Sequence, residues 1–232
     1  MSNNIALLSF FTPDFQPLHD VTGPNKDLYC ARRGYRHIVK HTPYGGDPSE
    51  YYAFQRLRYI YDLLFENLEE GKGIEIILCI NTHAQIMNHN TAIESFLDDH
   101  HDFYIHKDIN GLNAGVFIVR KSEWSKKWIE FILLLKDTHQ NHCWKEQKLM
   151  QDNWERPEFK DKIKVPEHPG FNSYRYDWYW CPETTAGHFK RGDFVLHVPG
   201  RSVLANQRDS LMESRIKIFS SPEVLESIIH AY

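Results

Sequence analysis

The sequence is poor in cysteine: Cys30, Cys79, Cys143 and Cys181 are scattered over 232 residues with no CxxC pair. That spacing favours reduced thiols over disulfides or a zinc site. It also lacks a surplus of positive charge. With 27 Lys and Arg against 31 Asp and Glu, the net is -4, so a long polyanion such as duplex DNA is not an expected partner. Long hydrophobic runs are missing too. The opening MSNNIALLSFF has no basic region, and its apolar stretch is much too short to span a bilayer or act as a signal peptide, which gives the expectation of a soluble, cytoplasmic protein with no membrane span. There is no internal repeat or low-complexity tract, and the length fits one domain.

Aromatic residues, by contrast, are plentiful: 6 Trp, 12 Tyr and 14 Phe serve either as core or as surfaces on which sugar rings or bases stack. The rest of the chain is organised around GIEIILCINTHAQIMN, from Gly73 to Asn88. Ile74, Ile76, Ile77, Leu78, Cys79 and Ile80 make a short, nearly unbroken apolar run of strand length, the pattern of a central strand covered on both faces. The run stops at Asn81, Thr82 and His83, polar residues at the carboxyl end of the strand, where open α/β sheets bind their ligands. Asn81-Thr82-His83 is therefore the first functional candidate.

Along the chain, Ile5 to Phe11 predicts a first strand that meets a loop on the ligand side at Thr12-Pro13. After Pro24, NKDLYCARRGY predicts a helix with Leu28 and Ala31 on one face and Gly34 as its stop, and His37 to Lys40 predicts a strand. Asp47-Pro48-Ser49-Glu50 has the form of a helix start, and the helix behind it carries Leu57, Ile60, Tyr61, Leu64 and Leu68 on one stripe, ended by Gly71 and Gly73. This alternation of strand and helix predicts an α/β fold with a mostly parallel central sheet flanked by helices. Thr91 and Glu94 suggest a second capping box, Phe103 to His106 an extended segment, and Asn113-Ala114-Gly115 a tight turn before the strand Val116 to Val119. Ser122 caps a helix whose Trp124, Trp128, Ile132 and Leu135 are core, and Cys143 to Trp154 predicts another helix. Arg156 to Gly192 reads as irregular strands and loops around a cleft, Asp193 to His197 as a strand, and Ser221-Pro222 as the start of a final helix.

In this order the pieces resemble the GT-A-type nucleotide-sugar glycosyltransferases, and within them the galactosyl, mannosyl and xylosyltransferase family of plants and fungi. The resemblance runs from Ile5 to about Arg201. It is carried by YCARRGY, the strand ending in a polar triplet, LNAGVFIVRKSEW (Leu112 to Trp124), WKEQ (Trp144 to Gln147) and GDFVLHVPGR (Gly192 to Arg201). It implies a single GT-A-like, Rossmann-like domain over residues 1–232, with a nucleotide-sugar-binding half (1–110), an acceptor and catalytic half (111–201) and a helical tail (202–232).

In that family the strand-end motif is Asp-x-Asp, whose carboxylates hold Mn²⁺ or Mg²⁺ on the donor diphosphate. Here the triplet reads Asn81-Thr82-His83, a neutral carbonyl oxygen and a borderline nitrogen. His197 matches the family's late metal-binding histidine, so Asn81, His83 and His197 are the implied metal set. The departure leaves open a weaker or softer metal site, catalysis without metal, and a pseudoenzyme. Arg201 matches a basic residue on the donor phosphates. Asn113 and Gly115 resemble an Asn-x-Gly that lets donor and backbone approach closely, and Thr12 is a further donor contact. Glu146 and Gln147 match an Asp-Gln pair beside donor sugar and acceptor, where a carboxylate takes a proton or stabilises an oxocarbenium ion while the amide orients the sugar; with Asn113 they are the catalytic candidates. Each has a plain alternative: an ordinary histidine, a solvated Arg, a tight turn, a charge on an exposed helix face between Lys145 and Lys148. Tyr174, Tyr176, Trp178, Tyr179 and Trp180 are either a stacking wall for an acceptor sugar or core.

The implied activity is transfer of a hexose or pentose from a nucleotide diphosphate sugar, uridine-linked, to a hydroxyl of a glycan or other acceptor, with retention. Family members usually carry an amino-terminal membrane anchor, and its absence fits a bacterial or viral version acting in the cytoplasm. Two other readings stand beside it. One is a degenerate transferase that binds a nucleotide or glycan without turnover; the other is a viral enzyme that glycosylates a DNA base, against which the acidic balance weighs.

Overall fold

β1 (Ile5–Phe11) is buried at every position and so requires a strand on each side and a layer of structure on each face. The computed structural model, which describes residues 4–43, 52–66, 68–108, 110–167, 170–174, 187–199 and 208–230, supplies both. β2 (Arg36–His41) and β3 (Ile76–Ile80) flank it in parallel, Leu8 opposite Ile38 and Leu7 opposite Leu78. β6 (Gly111–Arg120) pairs antiparallel with β3 and with β5 (Phe103–Asp108), and the two-residue β7 (Ile163–Lys164) runs parallel to β5. The six-stranded order is β2-β1-β3-β6-β5-β7, a mixed sheet within the expected α/β architecture. Because β6 lies between β3 and β5, the sheet interleaves chain from both sides of residue 110.

One face of this sheet is covered by α2 (Tyr52–Phe65), α3 (Glu123–Leu134) and α5 (Lys145–Asn153), with the short α4 (Lys136–His139) between the last two. There Ala6, Leu8, Ile77, Phe103 and Phe117 meet Leu57, Ile60, Leu64, Trp128, Ile132 and Leu149 in one apolar cluster. Each side chain of this size, fully buried, contributes about 1.5–3 kcal/mol. The other face is covered by α1 (Gln16–Arg33) and by a small sheet, β4 (Ala84–Ile86), β9 (Val195–His197) and β8 (Ser173–Tyr174), in the order β4-β9-β8. Leu7, Leu78, Ile80, Val116 and Ile118 pack there against Tyr29, Cys30, Ala84 and Val195. α6 (Arg208–Ser220) rests on α1, and α7 (Pro222–His230) on α6.

Ser122 starts α3 as its sequence indicates: its hydroxyl accepts from Ser125 N and the Ser125 hydroxyl accepts from Ser122 N, each at 3.0 Å. Trp128 and Ile132 are fully buried, with Trp124 and Leu135 packed at the edge. Gly34 ends α1 in the left-handed region at φ 71, where a side chain would be strained.

Other expectations are corrected. α1 begins at Gln16 and carries Pro24 within it, rather than starting after Pro24. Its buried face is Leu18, Thr22, Lys26, Tyr29 and Cys30, while Leu28 is 46% exposed and Ala31 is exposed. Apolar spacing misplaced this helix because a lysine and a threonine occupy its inner face. α2 ends at Phe65, and Leu68 precedes a separate 3-10 turn, Glu69–Gly71. Ile93–Phe96 is a 3-10 turn with no side-chain cap, since the Glu94 carboxylate accepts from the Tyr35 hydroxyl instead of reaching Thr91. Asn113-Ala114-Gly115 is strand rather than turn, because β5–β6 pairing continues through a register shift at Ile105/His106. α6 falls within the helical tail implied for 202–232 but is not delimited by residue pattern, and Arg215 is buried on it. The helix start at Asp47 to Glu50 lies outside the described residues. Cys30 and Cys79 are buried thiols and Cys143 an exposed one; Cys181 lies outside the described residues. Among the described residues no helix is long and apolar enough to cross a membrane.

Candidate active site

The two sheets meet where β3 runs out. Asn81 N donates to Gly115 O at 2.9 Å, carrying the β3–β6 ladder one residue further, and Val198 N donates to His83 O at 2.9 Å beside the Ala84–His197 pair. Residues 81–83, 113–115 and 197 are thereby brought together by main-chain pairing. Gly115 makes the junction sterically feasible: a Cβ there would lie 2.7 Å from His197 Nε2 and 2.9 Å from Asn113 Oδ1. The space that glycine leaves is filled by the His197 imidazole, which stacks on His83 with ring centroids 4.9 Å apart.

Hydrogen bonds then fix the orientation of the Asn81, Asn113 and Asn172 amides and of the His83 and His197 imidazoles. Gly115 N donates to Asn113 Oδ1 at 2.9 Å, so Asn113 Nδ2 is the atom that donates to Asp108 Oδ2, also at 2.9 Å. Asn172 Nδ2 donates to the same Asn113 Oδ1 at 3.2 Å, leaving Asn172 Oδ1 to accept from His197 Nδ1 at 2.8 Å. His197 therefore keeps its proton on Nδ1 and a lone pair on Nε2, a buried atom with no hydrogen-bond partner among the described residues. Arg56 Nη1 donates to Asn81 Oδ1 at 2.8 Å, so Asn81 Nδ2 faces His83 Nε2 at 3.3 Å and places the His83 proton on Nδ1.

Arg56, on the inner face of α2, joins this cluster to the catalytic candidates. Its Nη2 donates to Glu146 Oε1 at 2.6 Å, and both side chains are almost wholly buried. Glu146 is at the start of α5, where Lys145 has a positive φ of 38. Gln147 Oε1 accepts from Ala114 N at 2.9 Å, tying α5 to β6. From the other face, Lys26 Nζ donates to Asn81 O at 3.1 Å, and Thr22 Oγ1 donates to Thr82 O at 2.9 Å. Asn81, His83, Asn113, Gly115, Glu146, Gln147 and His197 thus converge. Thr12 lies at the end of β1 just before Phe15, whose ring is 6.1 Å from that of His83. Arg201 is outside the described residues, as are Tyr176, Trp178, Tyr179 and Trp180, while Tyr174 is buried and donates to Asp108 Oδ2 at 3.2 Å.

Cationic side chains lie near both imidazoles. Burial, then Arg215, His197, Lys26 and Arg56, holds His83 well below the usual histidine range; burial, then Arg215, His106, Lys26 and Arg56, lowers His197 to about 3. Both are neutral imidazoles at pH 7. Burial lowers Lys26 to about 7 and Arg215 to about 10, and it pushes Glu146 up against the opposing pull of Arg56.

Residues 66–206, more than half of the chain, match the galactosyl transferase GMA12/MNN10 family. The chain belongs to that family. It is a glycosyltransferase, and its fold has counterparts among enzymes of that kind. A glycosyltransferase involved in the glycosylation of the major capsid of PBCV-1 superposes with TM-score 0.66 at 19% identity, over 90% of this chain and 98% of that one. The glycosyltransferase GlyE of Streptococcus pneumoniae TIGR4 gives 0.55 at 13% identity, over 97% of this chain and 65% of that one. At such identities the likeness is one of fold. No curated protein sequence matches the chain.

Whether this candidate site suits Mn²⁺ or Mg²⁺ is decided by its donors. A hard divalent cation takes about six oxygen ligands, carboxylates foremost. Here Asn81 Oδ1 accepts from a guanidinium, the His83 lone pair faces the Asn81 amide, and only His197 Nε2 of the implied set is unengaged. Among the described residues no three His, Cys, Asp or Glu are grouped to hold a metal. The residues as arranged do not fit such an ion.

Sequence reading missed Arg56, Lys26, Asp108, Asn172 and Arg215. For two of them a signal existed. Arg56 is in i, i+4 register with Ile60 and Leu64, and Lys26 with Thr22 and Cys30, so helical spacing alone places both charges inward. Asp108 and Asn172 act through contacts distant in sequence and leave no local mark.

Proposed function

We propose that the enzyme moves a sugar from a uridine diphosphate sugar to a hydroxyl of a glycan or other acceptor, with retention at the anomeric carbon. One observation carries this reading: Glu146 and Gln147 are held beside Asn81 and Asn113 at the carboxyl end of β3, by Arg56 at 2.6 Å and by Ala114 N at 2.9 Å. That is the edge where α/β sheets take ligands. In the proposed reaction the bond from C1 of the sugar to the diphosphate oxygen breaks with its electron pair going to the oxygen. The acceptor oxygen bonds to C1 on the same face, and its proton passes to the departing phosphate. Glu146, as a carboxylate, stabilises the oxocarbenium charge, while Gln147 and Asn113 orient sugar hydroxyls.

The test is incubation of the folded protein with a panel of nucleotide sugars, with Mn²⁺ and after chelation, following transfer and donor hydrolysis. Release of nucleotide from one donor class, with the product keeping the donor's anomeric configuration, is the expected result. A second reading, a nucleotide-binding protein without turnover, draws on the Glu146 carboxylate being engaged in an ion pair. Binding of uridine diphosphate by calorimetry with no product from any donor would replace the first reading by the second.

A further inference from the structure

We propose that Asp108 is a positioning residue for transfer: its carboxylate heads a line of hydrogen bonds through Asn113 and Asn172 that sets the Asn113 amide and the proton of His197. This rests on the transferase reading above and names what holds the polar groups of that site in one orientation.

The sheet brings Asp108 to the place. Ile105 pairs with Phe117 but His106 pairs with Asn113, so Ala114, Gly115 and Val116 have no partner on β5. Such a shift in register re-aims what lies beyond it. Ala114 N turns to Gln147 Oε1, Gly115 O receives Asn81 N, and Asp108 closes the hairpin opposite Gly111. The hairpin is tied to the helix that carries Glu146 and Gln147, since Gln151 Nε2 donates to Asn110 O and to Leu112 O, each at 2.9 Å.

The hydrogen bonds run in one direction from the carboxylate. Asp108 Oδ1 accepts from Asn110 N at 2.6 Å, and Oδ2 accepts from Asn113 Nδ2 at 2.9 Å and from the Tyr174 hydroxyl at 3.2 Å. Three donors on two oxygens form the pattern that an ionised carboxylate takes. Burial raises its affinity for a proton, and the Asn113 hydrogen bond is the first of the contacts that oppose this. Asn113 Oδ1 then accepts from Asn172 Nδ2 at 3.2 Å, and Asn172 Oδ1 from His197 Nδ1 at 2.8 Å. Amides aligned head to tail polarise one another, so the charge on Asp108 strengthens each bond as far as the imidazole.

The reversed line is blocked twice. It would turn the Asn113 oxygen onto the Asp108 carboxylate, and the Asn113 amide nitrogen onto Gly115 N, which now donates to Asn113 Oδ1 at 2.9 Å. Asp108 is the one of these two locks that carries charge. With both in place, Asn113 Oδ1 is filled by two donors, and Asn113 has one further N–H to give. His197 has a lone pair on Nε2, without a partner among the described residues. A carboxylate commonly fixes a histidine tautomer by direct contact. Here two amides intervene, and the same carboxylate also turns Asn113, the residue proposed to orient a sugar hydroxyl.

The experiment follows the imidazole nitrogens of the full chain by NMR, with His197 assigned by the loss of its signals in His197→Gln. Transfer kinetics, uridine diphosphate calorimetry and urea unfolding are measured alongside. Wild-type His197 should be the neutral Nδ1–H form alone. In Asp108→Ala the Nε2–H form should appear beside it, and kcat should fall by about tenfold with uridine diphosphate affinity kept to within about twofold. Millimolar formate, which replaces the missing carboxylate, should restore part of both the rate and the Nδ1–H form, as a merely structural loss would not allow. If Asp108→Ala does not fold, Asp108→Asn decides, since it keeps the shape and removes the charge: the His197 Nδ1 proton resonance should move upfield and kcat should fall. The proposal is overturned if wild-type His197 carries its proton on Nε2, or if the folded variant keeps the wild-type resonance and a rate within about twofold. An altered tautomer in a protein that transfers no sugar from any donor would defeat the transferase reading and leave the hold of Asp108 on these groups standing. Full transfer with an unaltered tautomer would defeat the role of Asp108 alone.

Discussion

The two faces of the central sheet are covered on different principles. On one, α3 presents Trp128, Ile129 and Ile132 to the strands behind a capping box, and its buried positions are almost all apolar. On the other, α1 turns Thr22 and Lys26 inward onto the carbonyls of Thr82 and Asn81. Burying a lysine without a carboxylate works against stability, since the ammonium loses its hydration. The α3 face is therefore arranged for stability, while the α1 face gives up some stability to place positive charge at a strand end. The difference sets the β3 end apart as a candidate site on grounds other than family resemblance.

The largest effect should come from the apolar face. Trp128→Ala removes a fully buried ring and is expected to cost about 3–5 kcal/mol in denaturant unfolding, with turnover per folded molecule unchanged. A loss of turnover in the folded fraction would dissolve the division of labour. Next comes the site. Glu146→Gln keeps the size of the side chain and a hydrogen bond from Arg56 but removes the carboxylate, and should lower the transfer rate by about 100-fold with nucleotide affinity largely kept, as read by steady-state kinetics and calorimetry. Equal losses of affinity and rate would put Glu146 in binding rather than in the chemical step.

These two substitutions also mark what the sequence disclosed. The Trp128 helix was legible because its apolar period, its Ser122 start and its burial agree. The β3 strand and its polar end were legible for the same reason, an apolar run that stops abruptly. Glu146 was placed by resemblance, and its spacing alone did not distinguish a buried carboxylate from an exposed one. Arg56 and Lys26 were passed over although helical register points them inward, because charged residues are ordinarily assigned to the solvent side. The Asp108–Asn113–Asn172–His197 chain was illegible in principle: Asn172 and His197 meet only through the pairing of β8 with β9.

A smaller effect sharpens the comparison through pH. The native protein releases the Lys26 proton at about 7, whereas the unfolded chain holds it to 10.5. Between those values the unfolded state binds the extra proton, so stability rises with pH, by at most about 1.4 kcal/mol per unit from this group. Measured against Lys26→Met, which has no proton to release, the wild type should gain across that window in urea unfolding. Parallel curves for the two proteins would mean that native Lys26 keeps its proton across the window and that burial does not lower it. The smallest effect belongs to the apolar face again: Ser122→Ala should cost about 1 kcal/mol through loss of the helix cap, with transfer kinetics unaltered.

The pairing of Ala84 with His197 has a consequence for the order in which the protein becomes competent. A ribosome delivers the central strand and its polar tip early, but the imidazole that stacks on His83 arrives only after residue 197 has been made, and closing so long a loop is slow relative to local helix formation. A growing chain can thus bury much of its sheet before the candidate site is assembled, in one late step when β4 pairs with β9.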